Sequence, residues 1–97
     1  MRLEWSLLAL SDREEIFDYI EADNPKAAAN VDILIEASAE RLIDFPQIGR
    51  LGRVDGTREL VITGTPFVAA YVVTDDAVRI LRVLHGARMW PDEMTEG

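Results

Sequence analysis

Apolar and polar positions along the chain change period about halfway. After a short alternating segment at residues 2–5, apolar residues recur three or four positions apart, as in helices that cover a core. From residue 58 onward the pattern consists of short, β-rich apolar runs separated by turns. The pattern therefore predicts one strand, then two helices, then three strands.

The first helix is predicted at about residues 7–22, with Ser6 as its N-cap. A later start is also compatible with the sequence, because Ser11 and Glu14 form a capping-box pattern that would begin the helix one turn further on. The apolar residues of this segment fall on one side of the helix: Leu8, Ile16, Phe17 and Ile20.

The second helix is predicted to begin at Asn24-Pro25 and to end at Pro46. Asparagine suits the N-cap, and proline suits the first helical position because its missing N–H would be unbonded there anyway. Only one or two residues separate the helices, which predicts an antiparallel hairpin. The stripe expected to face the core is Ala28, Val31, Leu34, Ile35, Ser38, Leu42 and Phe45.

Residues 46–56 are predicted to form an exposed loop, and strands are predicted at about 58–62, 67–73 and 77–84. The loop combines glycines with Arg50 and Arg53, but its spacing matches neither a P-loop nor a dinucleotide-binding turn. The fold class is therefore α+β, with the helical hairpin packed on one face of a small, mainly antiparallel sheet.

Both faces of this sheet are predicted to be apolar. In the strand at 67–73, residues of both parities are apolar, whereas a half-solvated antiparallel strand alternates cleanly. In the last strand, strict alternation places Arg82 with Ile80, and His85 with Leu81 and Val83. Two helices cover only one face, and large exposed apolar patches are uncommon in monomers. The other face must therefore be buried by the C-terminal tail, by self-association or by a partner chain, and we favour a partner chain.

Length and composition indicate one domain at residues 1–97, with a polar C-terminal tail from about residue 86. Apolar residues make up 48% of the chain and there is no cysteine, so disulfides are excluded. We expect a cytoplasmic protein without a membrane segment, because no apolar run approaches the length of a membrane span.

Charge argues against nucleic-acid binding by this chain. Ten basic and eighteen acidic residues give a net charge of −8, and a protein that grips a phosphate backbone usually neutralises several phosphates with Lys and Arg. The acidity is concentrated on the predicted helices and in the last residues, whereas residues 50–88 are mildly basic. The favoured interpretation is that these acidic residues form solvated helix faces. The alternative is that the mildly basic C-terminal half meets a different partner from the acidic N-terminal half.

Nearly the whole chain resembles the ParE/RelE family of small bacterial toxins from type II toxin–antitoxin systems, and more closely ParE. The order and spacing of several short motifs carry the resemblance, although none is specific alone. They are Trp5-Ser6, Ile16 with Tyr19 and Ile20, Asn24-Pro25, Phe45-Pro46, Gly49-Arg50, Gly56-Thr57-Arg58-Glu59-Leu60, and Arg82-Val83-Leu84-His85-Gly86-Ala87-Arg88-Met89-Trp90-Pro91.

The resemblance implies a β-α-α-β-β-β arrangement and a cognate antitoxin whose flexible segment wraps the toxin and covers its groove and helices. In such pairs the antitoxin usually carries the operator-binding domain, of ribbon-helix-helix type, which suits a toxin too acidic to bind DNA itself. It also implies a hetero-oligomer, a cytoplasmic location and a role in growth inhibition or plasmid stabilization.

The family divides into two activities. RelE-like members cut messenger RNA on the ribosome, and ParE-like members inhibit DNA gyrase, mostly without known catalytic residues. RNA cleavage needs proton transfer and a cation for the developing charge. The candidates are Glu59 or His85 for proton transfer, with Arg58, Arg79 or Arg82 as cation. RelE-like nucleases typically place a basic residue on the middle strand of the sheet. The corresponding segment of this chain, residues 67–71, contains no basic residue.

The resemblance to ParE therefore implies a gyrase inhibitor, which we expect to have no catalytic residues, cofactor or metal. The alternatives are a RelE-like endoribonuclease and an inactive module that only binds an antitoxin. A metal site of two histidines is excluded because His85 is the only histidine. The residues expected to contact target or antitoxin are Arg58, Arg79, His85, Arg88 and Trp90.

Three of the side chains in the last third have competing interpretations. His85 either forms hydrogen bonds at the sheet edge or contacts a partner. Trp90 either folds its ring back over the sheet or anchors a partner, as tryptophan often does at interfaces. Arg82 is expected to pair with a helix carboxylate, or with Glu59 or Glu4.

Overall fold

The chain is represented by a computed structural model that describes residues 1–92 and Met94. Its elements are β1 (Arg2–Trp5), α1 (Leu7–Glu21), α2 (Pro25–Asp44), β2 (Arg50–Leu51), β3 (Arg58–Val61), β4 (Phe67–Val73) and β5 (Ala77–His85). The predicted order of elements is confirmed, with β2 added inside the segment predicted as a loop. Two residues are too few to show the alternation by which a strand is recognised.

The five strands form one sheet in the order β1-β5-β4-β3-β2. Among the strand pairs of the described residues, only β1–β5 is parallel, so the expectation of a mainly antiparallel sheet is confirmed. Residues of both helices and of β3, β4 and β5 meet in one buried cluster. Its members are Ala9, Ile35, Ala39, Leu42, Leu60, Ile62, Ala69, Tyr71, Val78, Ile80 and Val83.

Both helices begin at side-chain caps that the sequence indicated. Ser6 Oγ accepts a hydrogen bond from the Ala9 backbone N–H at 3.0 Å, and Asn24 Oδ1 accepts one from the Ala27 N–H at 3.1 Å. Because α1 already starts at Leu7, the later start at Ser11 is wrong. The start of α2, with proline in its first turn, is as predicted.

The predicted core stripe of α2 is correct at Ala28, Ile35 and Leu42, which are buried. It is wrong at Leu34 and Phe45, whose exposed fractions are 40% and 60%. Leu34 is turned about 100° around the helix axis from Ile35, which removes it from the core side. Phe45 follows the last helical residue, so its side chain no longer follows the helical stripe.

A β-bulge in β5 overturns the strict alternation assumed for that strand. Ala70 pairs with Arg82 but Tyr71 pairs with Ile80, which leaves Leu81 as the extra residue. Val83 pairs with Ala69 and therefore shares the helix-covered face with Ile80, contrary to the prediction. A bulge shifts the register by one residue, and a shift of one residue reverses the face of every later side chain.

The sheet face away from the helices is largely buried by the chain itself. Val68 and Ala70, which belong to this face, are 4% and 0% exposed. Glu59 lies beside Ala70 in the sheet, and Gly86 lies close to the Val68 side chain. The expectation that this face needs a second chain to cover it is therefore wrong. Among the described residues, large exposed apolar side chains occur mainly on the helices and at 45–51.

Tyr71 fixes the connection between α2 and the sheet. Its side chain is fully buried, and its hydroxyl donates to the Pro46 carbonyl at 2.8 Å while accepting from the Gly49 N–H at 2.9 Å. Burial raises the pKa of Tyr71 above its ordinary value, despite opposing effects of the Gly49 N–H and of Arg58. The phenol thus stays neutral and serves as both donor and acceptor.

Replacing Tyr71 with phenylalanine should lower the free energy of unfolding by about 1–3 kcal/mol, because two buried backbone groups would lose their partner. Urea denaturation followed by circular dichroism measures the change. Tyr19→Phe is the matched control, since Tyr19 is 78% exposed and its replacement should change little. Equal stability of the two variants would contradict the assignment of a structural role to the Tyr71 hydroxyl.

Candidate functional site: a groove beside the last strand

A groove of about 690 Å³ runs between α1 and the end of β5. The β3–β4 turn closes one end, and the segment after β5 forms a further wall. Its position follows from the topology, because α1 crosses β5 beyond the point where β1 ends. The lining residues are Asp12, Glu15, Ile16, Tyr19, Ile20, Val31, Gly64, Thr65, Pro66, Phe67, Arg82, Val83, Leu84, His85, Arg88, Met89 and Trp90.

The groove combines an apolar lining with exposed residues at its rim. Ile16, Ile20 and Phe67 are half-buried in its walls. Tyr19 and Met89 are 78% and 99% exposed, so both side chains are available to an occupant. A few charged groups among apolar walls are typical of sites that bind an apolar segment and fix its orientation.

Asp12 and Arg82 form a fixed ion pair at the edge of the sheet. The Asp12 carboxylate accepts from Arg82 Nε at 2.8 Å, from Arg82 Nη2 at 3.0 Å and from the Val83 N–H at 2.9 Å. The Asp12 hydrogen bond raises the pKa of Arg82 above its ordinary value. The expected pairing of Arg82 with a helix carboxylate is therefore confirmed.

The reason for this pair lies in the length of β1. The last residue of β1, Trp5, pairs with Ile80, so among residues 1–92 and Met94 no strand lies beside the later part of β5 on that side. Ser6 Oγ donates to the Leu81 carbonyl at 2.7 Å, and Asp12 then accepts from Val83. Residues at the start of α1 thus satisfy backbone groups that a longer β1 would otherwise have bonded.

His85 organises the chain where β5 ends. Its Nδ1 accepts from the Ala87 N–H at 3.2 Å, and its carbonyl accepts from the indole N–H of Trp90 at 3.0 Å. Its ring meets that of Phe67 edge-on, with centroids 5.9 Å apart. These contacts support the interpretation of His85 as a hydrogen-bonding residue at the end of the strand.

Glu59 is the most buried carboxylate of the sheet and lies outside the groove. Its side chain is 2% exposed and accepts from Arg50 Nη2 at 3.0 Å, Arg53 Nε at 3.1 Å and the Arg53 N–H at 2.7 Å. Burial alone would raise the pKa of Glu59, but the hydrogen bonds from Arg53 and Arg50 outweigh it, and the pKa lies below its ordinary value. Glu59 is therefore held as an anion.

Replacing Glu59 with glutamine should cost about 2 kcal/mol of unfolding free energy at pH 7, because buried charge-assisted hydrogen bonds are lost. A carboxylate whose pKa is lower in the folded than in the unfolded state stabilises the fold at pH values above the ordinary pKa of glutamate. This contribution is lost as the pH falls through the folded pKa. The difference between wild type and Glu59→Gln should therefore shrink in acid. Urea unfolding between pH 7 and pH 3 tests this, with Glu40→Gln on exposed α2 surface as control. A difference that does not depend on pH would contradict it.

The five candidates named for a nuclease do not converge as one set. Arg82 lines the groove together with His85, but its guanidinium is bound by Asp12. Arg79 pairs with Val72 and His85 with Phe67, so they are six residues apart on β5, or roughly 20 Å along the strand. Arg79 Nη1 lies 3.7 Å from Glu4 Oε1, at the β1 edge. Arg58 donates to the Gly49 carbonyl at 2.8 Å, on the sheet face opposite to that of Glu59.

The groove brings together three of the five residues expected to contact a target or antitoxin: His85, Arg88 and Trp90. Arg58 and Arg79 lie elsewhere. The α1 residues of the groove, above all Tyr19, were missed as site residues, although their apolar spacing was visible in the sequence. Arg53 was missed as a partner of Trp90: its Cζ lies 3.7 Å from the Trp90 ring centroid. Nothing in the spacing of a glycine-containing loop indicates that contact.

Within residues 1–92 and Met94, no three His, Asp or Glu side chains are grouped so as to hold a metal ion. Over the same residues, neither helix has the length and apolar character needed to cross a bilayer.

Comparison with known proteins identifies the class to which this fold and groove belong. Residues 3–90 match the family model of the ParE toxin of type II toxin–antitoxin systems, parDE. The chain therefore belongs to the ParE toxin family, and the resemblance seen in the sequence is confirmed.

Individual relatives agree with this assignment. The chain is 42% identical over 90 residues to a putative toxin, Y4kP, of Sinorhizobium fredii, with 93% of each chain covered. It is 38% identical over 85 residues to toxin RelE2 of Caulobacter vibrioides, with 88% of this chain and 94% of the relative covered. A solved structure of a chromosomal ParDE toxin–antitoxin system from P. aeruginosa matches with a TM-score of 0.78 at 28% identity, over 86% of this chain and 92% of that one. The protein is a type II toxin with an antitoxin partner.

Proposed function

We propose that this toxin acts by inhibiting DNA gyrase, without catalysing a reaction of its own. The match to the ParE family model over residues 3–90 carries the proposal. The dispersal of Glu59, Arg58, Arg79 and His85 supports it, because a ribonuclease needs its proton-transfer groups and its cation within reach of one phosphate. A net charge of −8 also suits a target that is a protein rather than a nucleic acid.

Glu59 illustrates the difficulty for a nuclease. A general base works best when its pKa lies near the working pH. Arg50 and Arg53 instead hold the pKa of Glu59 below its ordinary value, and the side chain is almost completely buried. The contacts of Glu59 with Arg50 and Arg53 join β2 and the following loop to β3, and this structural role is enough to explain them.

The decisive experiment compares two assays on the same purified toxin. Under the proposal, the toxin inhibits supercoiling by purified gyrase and leaves translated messages intact. Adding the antitoxin should restore supercoiling. Message cleavage that depends on the ribosome, with normal supercoiling, would overturn the proposal.

A second candidate function is a ribosome-dependent endoribonuclease. The observation that favours it is the relative named RelE2, which is 38% identical to this chain. In that case alanine at Arg58, Arg79 or His85 should abolish cutting. A third outcome, unaffected growth when the toxin is expressed alone, would identify an inactive module that only sequesters an antitoxin.

We further propose that the antitoxin is of the ribbon-helix-helix type, that its flexible segment occupies the groove, and that the complex is a cytoplasmic hetero-oligomer. The exposed apolar side chains at the groove rim, Tyr19 and Met89, support this location. A short neighbouring reading frame with a ribbon-helix-helix start and an amphipathic or acidic end is the expected source. Co-expression and co-purification of the two chains tests the pairing, and failure to co-purify would contradict it.

A further inference from the structure

Residues 86–90, directly after β5, are attached to the rest of the chain mainly at Gly86 and Trp90. Residues 86–90, here named the strap, turn back from the end of the sheet, with the Gly86 N–H donating to the Pro66 carbonyl at 2.9 Å. Ala87, Arg88 and Met89 are exposed, and Met89 is 99% exposed. Trp90 is therefore the side chain by which the strap is fixed.

The Arg53 guanidinium stacks on the Trp90 ring. Its guanidinium carbon lies 3.7 Å from the ring centroid, and its Nη1 donates to the Gly86 carbonyl at 3.4 Å. The same guanidinium donates to Glu59 through Nε at 3.1 Å and through Nη2 at 3.2 Å. One planar group thus connects a buried carboxylate of the sheet to both ends of the strap.

The strap also forms a wall of the groove. Arg88, Met89 and Trp90 line the groove, whereas Arg53 and Glu59 lie outside it. Moving the strap would therefore change the width of the groove without altering α1 or the sheet. Glu59 is almost completely buried and bonded by two arginines, so it provides a rigid base against which Arg53 is oriented.

We propose that residues 86–90 are a strap that closes one side of the groove, and that Arg53, bound between Glu59 and Trp90, keeps it closed. Opening breaks the Arg53–Trp90 stack and the hydrogen bond from the Trp90 indole to the His85 carbonyl. The guanidinium plane is essential to this contact, because an ammonium cannot lie flat on the ring while bonding a carboxylate through two nitrogens. Loss of the stack should lower the ratio of closed to open strap by roughly fivefold.

The test uses the isolated chain, so its outcome does not depend on whether gyrase is the target. Trp5→Phe leaves Trp90 as the only tryptophan. In that background, Arg53→Lys keeps a positive charge beside Glu59 but loses the stack. Arg50→Lys is the matched control, because Arg50 bonds the same carboxylate at 3.0 Å and does not stack on Trp90.

The expected result is a red shift of Trp90 emission and stronger acrylamide quenching in Arg53→Lys, and little change in Arg50→Lys. Hydrogen exchange of the Ala87 and Arg88 amides should accelerate by roughly fivefold in Arg53→Lys. At least the same acceleration is expected in Trp90→Leu, which loses the indole hydrogen bond as well as the stack. This variant leaves the Glu59 contacts intact and so remains informative if Arg53→Lys fails to fold. Equal effects of the two lysine variants, or unchanged exchange in Trp90→Leu, would overturn the proposal.

Discussion

Replacing Asp12 with alanine should destabilise the protein by about 3–5 kcal/mol. The Asp12 side chain is 9% exposed and its carboxylate is the partner of both the Arg82 guanidinium and the Val83 N–H. Removing it would leave a half-buried positive charge and a buried backbone donor without their acceptor. Both losses add to the cost, because each group gave up hydrogen bonds to water on folding and would no longer have the carboxylate in their place.

A double-mutant cycle separates the ion pair from the rest of this effect. Urea unfolding compares Asp12→Ala, Arg82→Ala and the double variant. The double variant should lose less unfolding free energy than the two single variants together, because its second substitution removes a charge that is already unpaired. Asp76→Ala is the control: Asp76 pairs with Arg2, but the two side chains are 71% and 60% exposed, and little change is expected. Strict additivity in the cycle would contradict the coupling inferred here.

Local signals were sufficient for most of the fold. The helix caps at Ser6 and Asn24, with Pro25 after the second, depend on residues only a few positions away, so the sequence predicts them directly. The later strands are likewise marked by short apolar runs that end at turns. The bulge at Leu81 could not be predicted in this way. Leu81 is apolar like Ile80 before it, and the register of β5 depends on its pairing with β4 and on the contact from Ser6 rather than on β5 alone.

The candidate site was predictable only where its parts are adjacent in the chain. His85, Arg88 and Trp90 lie within six residues and do line the same groove. Arg58 and Arg79 were chosen on charge and strand position, and the fold places them elsewhere. Arg53 is 37 residues from Trp90, and a contact over that separation depends on the whole sheet.

The same limitation explains the error about the sheet face. A strand pattern indicates that Val68 and Ala70 are apolar. It does not indicate that Glu59 lies beside Ala70 and binds Arg53, which in turn stacks on Trp90. Long polar side chains can cover apolar surface with their stems while their charged ends form ion pairs. The apolar surface left for a partner therefore lies on the helices, at 45–51 and at the groove rim. The case for an antitoxin depends on the family and the groove instead.

Under the proposed function, alanine at Tyr19 should weaken antitoxin binding by about 30-fold or more. Tyr19 is 78% exposed in the isolated chain but projects at the groove rim, beside the half-buried Ile16 and Ile20. Burying such a ring against an apolar segment removes a large area from water, and aromatic residues of this kind provide much of the affinity at interfaces. Calorimetry or biolayer interferometry with the antitoxin of the neighbouring reading frame measures the effect.

Leu7→Ala is the matched control for this prediction. Leu7 is on the same helix and is 76% exposed, but it lies outside the groove. Because both side chains are exposed, neither substitution should change the melting temperature appreciably, and a difference in affinity then reports the location of the partner. A loss of affinity in Leu7→Ala equal to that in Tyr19→Ala would indicate that the antitoxin segment binds the outer surface of the helical hairpin and not the groove. A loss confined to Tyr19 would support the groove as the antitoxin site whether the toxin acts on gyrase or on the ribosome.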